Sequence, residues 1–164
     1  TGSGADLAAS VFGGLLLYRQ TPLQITALEK IHPITVCYSG KKTPTTKVIQ
    51  LVEQKRRVFP ELFDSIYDLV DSSAGMAAEA IRNEDWKRFG ELLNINQGFM
   101  DAIGVSDLNL SHLVYALRND SGILGAKISG SGLGDCVIGL GQLQQDIPFK
   151  QIPLNMSLEG ARID

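Results

Sequence analysis

The strongest constraint on this chain is a double change of hydrophobic period. Up to "HPITVCYSG" (32–40), and again from "GAKISG" (125–130), apolar residues come in short β-branched or alternating runs. Between these segments they recur at helical spacing. Val48, Leu51 and Val52 mark a first long helix that runs to about Phe59, and Pro60 stands at the head of the next. Leu62, Ile66, Leu69 and Val70 carry the apolar stripe of that second helix, which continues through "AGMAAEAIRN". "EDWKRFGELLNINQGFMDAIG" reads as a third helix, with acids in its first turn and Gly104 as its stop. "NLSHLVYALRND" reads as a fourth, capped by Asn109 or Ser111.

The ends are different. A small-residue helix over Leu7–Val11 is closed by Gly13 and Gly14, and "LLLYRQ" and "LQITAL" form a hairpin around Thr21-Pro22. "GAKISG" and "DCVIGLG" are two further strands, and "FKQIPLNM" with "EGARID" supplies one or two more. Strands, then helices, then strands imply an α+β fold: a mainly antiparallel sheet with helices on one face.

The 164 residues suffice for one good core, and 44% hydrophobic with 20% charged residues is a soluble, globular profile. The net charge of -3 argues against a nucleic-acid surface. Lys55, Arg56 and Arg57 form a local basic cluster that reads as a solvated helix face. No apolar run is long enough to span a bilayer. Cys37 and Cys136 stand in no metal-like spacing and read as reduced core thiols, so the expected setting is the cytoplasm. His32 and His112 have no companion in a catalytic spacing and read as structural. The opening "TGSGADLAAS" reads as the middle of a structured loop, which leads us to expect a piece of a longer protein.

Four features carry candidate chemistry. "KISGSGLGDC" (127–136) places Gly130, Gly132 and Gly134 at alternate positions between two strands. Such a loop serves either as a tight hairpin or as a nest of backbone N–H groups for an anion. It lacks the lysine of a P-loop, and no helix follows it as in a dinucleotide fingerprint. Asp6, on a Gly-rich turn at a helix start, is either a capping or first-turn acid or a general base. "YSGKKTPTTK" gathers Ser39, Thr43, Thr45 and Thr46 with Lys41 and Lys42 where a strand gives way to a helix. That is either plain capping or an anion site. Gln97 interrupts the apolar stripe of the third helix, and so reads as a buried amide holding a neighbouring loop.

Several of these stretches together resemble one family. "GSGADLAASVFGG" resembles the S-G-x-D segment of mevalonate kinases in the GHMP kinase superfamily. "YSGKKTPTTKVIQLV" is similar to its strand-to-helix segment, with Ser39 and Thr45 at the hydroxyl positions. "NINQGFMDAIGVS" is similar to its N-Q-x-x-L-x-x-L-G-V-S helix. "KISGSGLGDCVIGL" resembles its third motif, usually K-x-[ST]-G-A-G-G-G-G-C, and "SLEGARID" its ending.

The resemblance implies an ATP- and Mg²⁺-dependent kinase acting on a small alcohol or phospho-alcohol, mevalonate-like, in isoprenoid biosynthesis. It implies the ferredoxin-like C-terminal domain over 31–164, preceded in 1–30 by the end of the N-terminal domain. The motif P-x-x-x-G-L-G-S-S-A and the magnesium-holding acid are not in this chain, so isolated activity is not expected. By position, Asp6 is the implied base, with Ser3 and Gly4 beside it at the substrate. Gly130, Ser131, Gly132 and Gly134 support the nucleotide phosphates, and Thr45 lies close to the acceptor; Lys42 is a candidate for an acidic substrate. No metal ligand is assigned. Expected partners are a small-molecule substrate and, at most, a second copy in a homodimer. An ATP-dependent decarboxylase of the same superfamily and a non-catalytic binding module are the alternatives. Leu133 and Asp135 depart from the family, standing where it usually has glycine.

Overall fold

The computed structural model describes residues 3–162. In chain order these form α1 (Ala5–Phe12), β1 (Leu16–Arg19), β2 (Gln24–Ala27), β3 (Ile34–Tyr38), α2 (Thr45–Val58), α3 (Pro60–Arg82), α4 (Trp86–Ala102), α5 (Leu108–Arg118), β4 (Ile123–Ser129), β5 (Cys136–Gly141) and β6 (Lys150–Ile152). Four strands make one sheet in the order β4-β5-β3-β6, with every neighbouring pair antiparallel, and β1-β2 is a separate hairpin. The α+β fold with an antiparallel sheet is therefore the one expected.

The core follows from the two periods. Leu110, Leu113, Val114 and Leu117 recur at helical spacing along α5 and are all but inaccessible. They pack on Ala126 and Ile128 of β4, Val137 of β5 and Cys37 of β3, the inward positions of a two-residue alternation. Each buried leucine contributes about 1.5–3 kcal/mol. A second cluster joins Leu28 to Ala78 and Ile81 of α3, with Leu15, Leu17, Trp86 and Phe89 around it. It seats the β1-β2 hairpin against α3 and α4.

Strand β4 is an edge strand, and α4 covers that edge. Asn94 Oδ1 accepts from the N–H of Ala126 at 3.0 Å, and Gln97 Oε1 accepts from the N–H of Ile128 at 2.8 Å. Amides three apart on a helix thus meet N–H groups two apart on a strand, and Arg118 Nη2 donates to the carbonyl of Ala126 at 2.9 Å. Unpaired edge groups that would otherwise invite another strand are satisfied. The approach is close enough to require glycine on both sides. A Cβ on Gly90 would lie 2.4 Å from the carbonyl oxygen of Leu124, and one on Gly125 would lie 2.0 Å from that of Gly90.

Two local expectations are corrected, and a third is narrowed. The acids before α4 lie ahead of its first turn: Asp85 is the N-cap and accepts from the N–H of Arg88 at 3.0 Å, while Glu84 pairs with Lys30. Helix α5 is capped by Asp107, which accepts from the N–H of Leu110 at 2.9 Å, rather than by Asn109 or Ser111. Beyond the helices, β6 is the single strand of the final segment among the described residues. "EGAR" is not a strand, and Ile163 and Asp164 lie outside the described residues.

Candidate active site

The glycine loop closes the β4-β5 hairpin after the pair Ser129–Cys136. Its backbone is left-handed at five of six positions: φ is 82° at Gly130, 84° at Gly132, 53° at Leu133, 126° at Gly134 and 68° at Asp135. Hairpin and nest are thus two descriptions of one loop. The N–H of Leu133 donates to the carbonyl of Val105 at 2.7 Å, and that of Asp135 to the carbonyl of Lys41 at 2.6 Å. The N–H groups of Ser131, Gly132 and Gly134 have no acceptor among the described residues. Gly132 has no alternative residue, because a Cβ there would stand 2.4 Å from the carbonyl oxygen of Val105.

Residues 39–45 form the wall facing this loop. The N–H of Ser39 donates to the carbonyl of Asp135 at 2.8 Å, and Asn109 Nδ2 donates to the carbonyl of Ser39. Thr43 Oγ1 donates to the carbonyl of Leu133. Thr45 Oγ1 lies 3.4 Å from Ser131 Oγ. Capping by Thr43 or Thr45 is not what these hydroxyls do: Pro44 is the N-cap of α2, without a side-chain cap, and Thr45 is the first helical residue. Both hydroxyls turn to the glycine loop instead.

The charges at this end of the sheet are paired. Lys42 Nζ lies 3.0 Å from Asp135 Oδ2, and Lys41 Nζ lies 2.9 Å from Asp107 Oδ2. The hydrogen bond to Asp135 and then its charge hold Lys42 above the usual lysine range. Burial pushes Asp107 up, but the N–H of Leu110 and the Lys41 ammonium outweigh it, so that its carboxyl stays below the usual range. Burial and then Asp135 raise the Cys136 thiol. Behind the loop, both ends of the buried Gln97 amide are engaged, its Nε2 donating to Asp101 Oδ1 at 3.2 Å. It holds the strand that leads into the loop, two residues before Gly130, and not the loop itself.

Ser3, Gly4 and Asp6 form a separate group at the head of α1. Gly4 is the N-cap with φ 84°, and Tyr18 Oη donates to the carbonyl of Ser3 at 2.6 Å. Asp6 is exposed in the first turn, and its carboxylate makes no hydrogen bond or ion pair among the described residues. It is not the cap. The structure therefore brings together Thr45, Lys42, Gly130, Ser131, Gly132 and Gly134. No hydrogen bond among the described residues links them to Ser3, Gly4 or Asp6. The residues that sequence reasoning passed over are Asp107 and Val105. Asp107 carried a usable signal, an acid three positions before Leu110 of the α5 stripe.

Among the described residues no group of three or more His, Cys, Asp or Glu side chains is placed to hold a metal ion, and no helix is long and apolar enough to cross a membrane.

The family model described as GHMP kinases C terminal matches residues 77–148. A mevalonate kinase of Thermococcus sibiricus is 35% identical over 99% of this chain and 52% of its own length. One of Pyrococcus abyssi is 36% identical over 84% of this chain and 42% of its own. Residues 77–148 thus carry the C-terminal domain of the GHMP kinases.

Within this family, the crystal structure of L. major mevalonate kinase in complex with R-mevalonate superposes with a TM-score of 0.79 at 32% identity. It covers 88% of this chain and 45% of that one. A Lin0012 protein from Listeria innocua, 17% identical, shares the fold with a TM-score of 0.77 over 96% of this chain and 56% of that one. The chain spans about half the length of the curated relatives it matches.

Proposed function

We propose that this chain is the C-terminal portion of an ATP-dependent kinase that phosphorylates a small alcohol, mevalonate-like. On this reading residues 31–164 are the C-terminal kinase domain and residues 1–30 the end of the domain before it, in a cytoplasmic enzyme. The observation that carries the proposal is the glycine loop itself. Three N–H groups with no acceptor among the described residues, in a left-handed turn beside the Ser131 and Thr45 hydroxyls, suit a cradle for phosphate oxygens. The similarity to mevalonate kinases supports the acceptor class.

Each residue then has a defined task. The N–H groups of Ser131, Gly132 and Gly134 donate to phosphate oxygens of ATP. Thr45 and Ser131 orient the transferred group. Asp6, free of partners and next to the Ser3–Gly4 turn, accepts the proton of the acceptor hydroxyl. The hydroxyl oxygen bonds to the γ-phosphorus as the bond to the β–γ bridging oxygen breaks, leaving ADP and a phosphomonoester. Magnesium belongs to this chemistry by family. Among the described residues the acids do not assemble a site for it, and no step is assigned to it.

In the full-length protein, Asp6→Asn should lower kcat by about 10²–10⁴-fold, the usual contribution of a positioned base, with ATP binding unchanged. Near-normal turnover of that variant would remove the base assignment.

A further inference from the structure

Leu133 and Asp135 adopt φ of 53° and 68°, a region that side chains rarely enter. Asp135 is held there from both sides: its N–H donates to the carbonyl of Lys41 and its carbonyl accepts from the N–H of Ser39. That geometry delivers its carboxylate to Lys42, Oδ2 to Nζ at 3.0 Å, at the rim of the nest. The neighbouring ammonium of Lys41 is engaged by Asp107. Both lysines of the segment facing the loop are therefore paired, among the described residues, with this chain's own acids, and one of those acids belongs to the loop.

We propose that Asp135 limits the phosphate affinity of the glycine loop. Its carboxylate occupies the Lys42 ammonium and repels a second anion, so the loop holds phosphate groups, those of ATP included, less tightly than its N–H groups alone would. A polyphosphate bound on the N–H groups of Ser131, Gly132 and Gly134 meets the charge of Asp135, the residue that follows Gly134, and gains nothing from Lys42. This inference rests on the loop being the phosphate site.

Asparagine suits the test because it tolerates a left-handed backbone and keeps the shape of aspartate. Binding of inorganic tripolyphosphate to the full-length protein is measured by calorimetry for the parent, Asp135→Asn, Asp135→Asn with Lys42→Ala, and Gly132→Ala. Asp135→Asn should tighten binding by about fivefold at low salt, the effect of one unit charge near 4 Å in a solvated setting. The gain should shrink at high salt and vanish in the double variant. A merely structural Asp135 would change thermal stability without a salt-dependent gain. Unchanged or weaker binding by Asp135→Asn, with the parent binding and Gly132→Ala weakened, overturns this proposal and leaves the phosphate site standing. No binding by any variant, or binding indifferent to Gly132→Ala, overturns both.

Discussion

Replacing Lys127 by methionine should stabilise the protein at neutral pH, and the gain should disappear in alkali. Lys127 alternates on β4 with Ala126 and Ile128, which face the α5 core, so its side chain lies on the other face of the sheet beside its cross-strand partner Ile138. Its ammonium donates to the carbonyl of Ile128, and no carboxylate lies within ion-pair distance among the described residues. Burial pushes its pKa down from 10.5 to about 8. The folded state then binds fewer protons than the unfolded chain between about pH 8 and 10.5. Stability contributed by this site rises with pH through that window, and the cost is fully present below it. At 1.36 kcal/mol per pH unit the cost reaches about 3 kcal/mol. Methionine keeps the stem and removes the charge, while the lost hydrogen bond returns about 1 kcal/mol, leaving a net gain near 2 kcal/mol at pH 7. For a chain of this size that is roughly 4–8 °C in Tm. Urea unfolding of both proteins from pH 7 to 10.5 reads the difference directly. A variant less stable than the parent at pH 7, with a deficit independent of pH, would refute the unpaired buried charge.

Gly132→Ala should cost about 1–2 kcal/mol from its left-handed backbone alone, and displace the loop from Val105. We expect ATP affinity of the full-length protein to fall tenfold or more while circular dichroism is retained, and unchanged affinity would detach the loop from the nucleotide. Gln97→Leu leaves the N–H of Ile128 without its acceptor and should cost about 1–3 kcal/mol in urea unfolding. A loss below about 0.5 kcal/mol would show that α4 does not serve as the cover of the β4 edge.

The helices and strands were legible because their apolar residues keep a strict period. The helical spacing of 48, 51 and 52 falls within α2, and the apolar runs "HPITVCYSG" and "DCVIGLG" contain β3 and β5. The end of the chain was less so, since the final segment has β-branched and apolar residues but makes only one short strand, β6. The α5 cap is Asp107, which bonds the helix and whose spacing to Leu110 is a usable signal, while Asn109 is a capping residue type whose amide turns to Ser39 instead. At the site, the glycine spacing announced a special backbone, but the pattern alone left hairpin and nest unresolved. The left-handed angles at Leu133 and Asp135 have no local signature, because they are imposed by Val105, Lys41 and Ser39. The use of Thr43 and Thr45 against the loop was hidden for the same reason: partners about ninety residues apart meet only through the β3-β5 pairing.

The most direct test of the account is the product formed by the full-length protein from ATP and mevalonate. Phosphorus NMR should show ADP and one new phosphomonoester in equal amounts, formed only when the acceptor is present, with no carbon dioxide released. Release of carbon dioxide, or ADP formation indifferent to the acceptor, would contradict it.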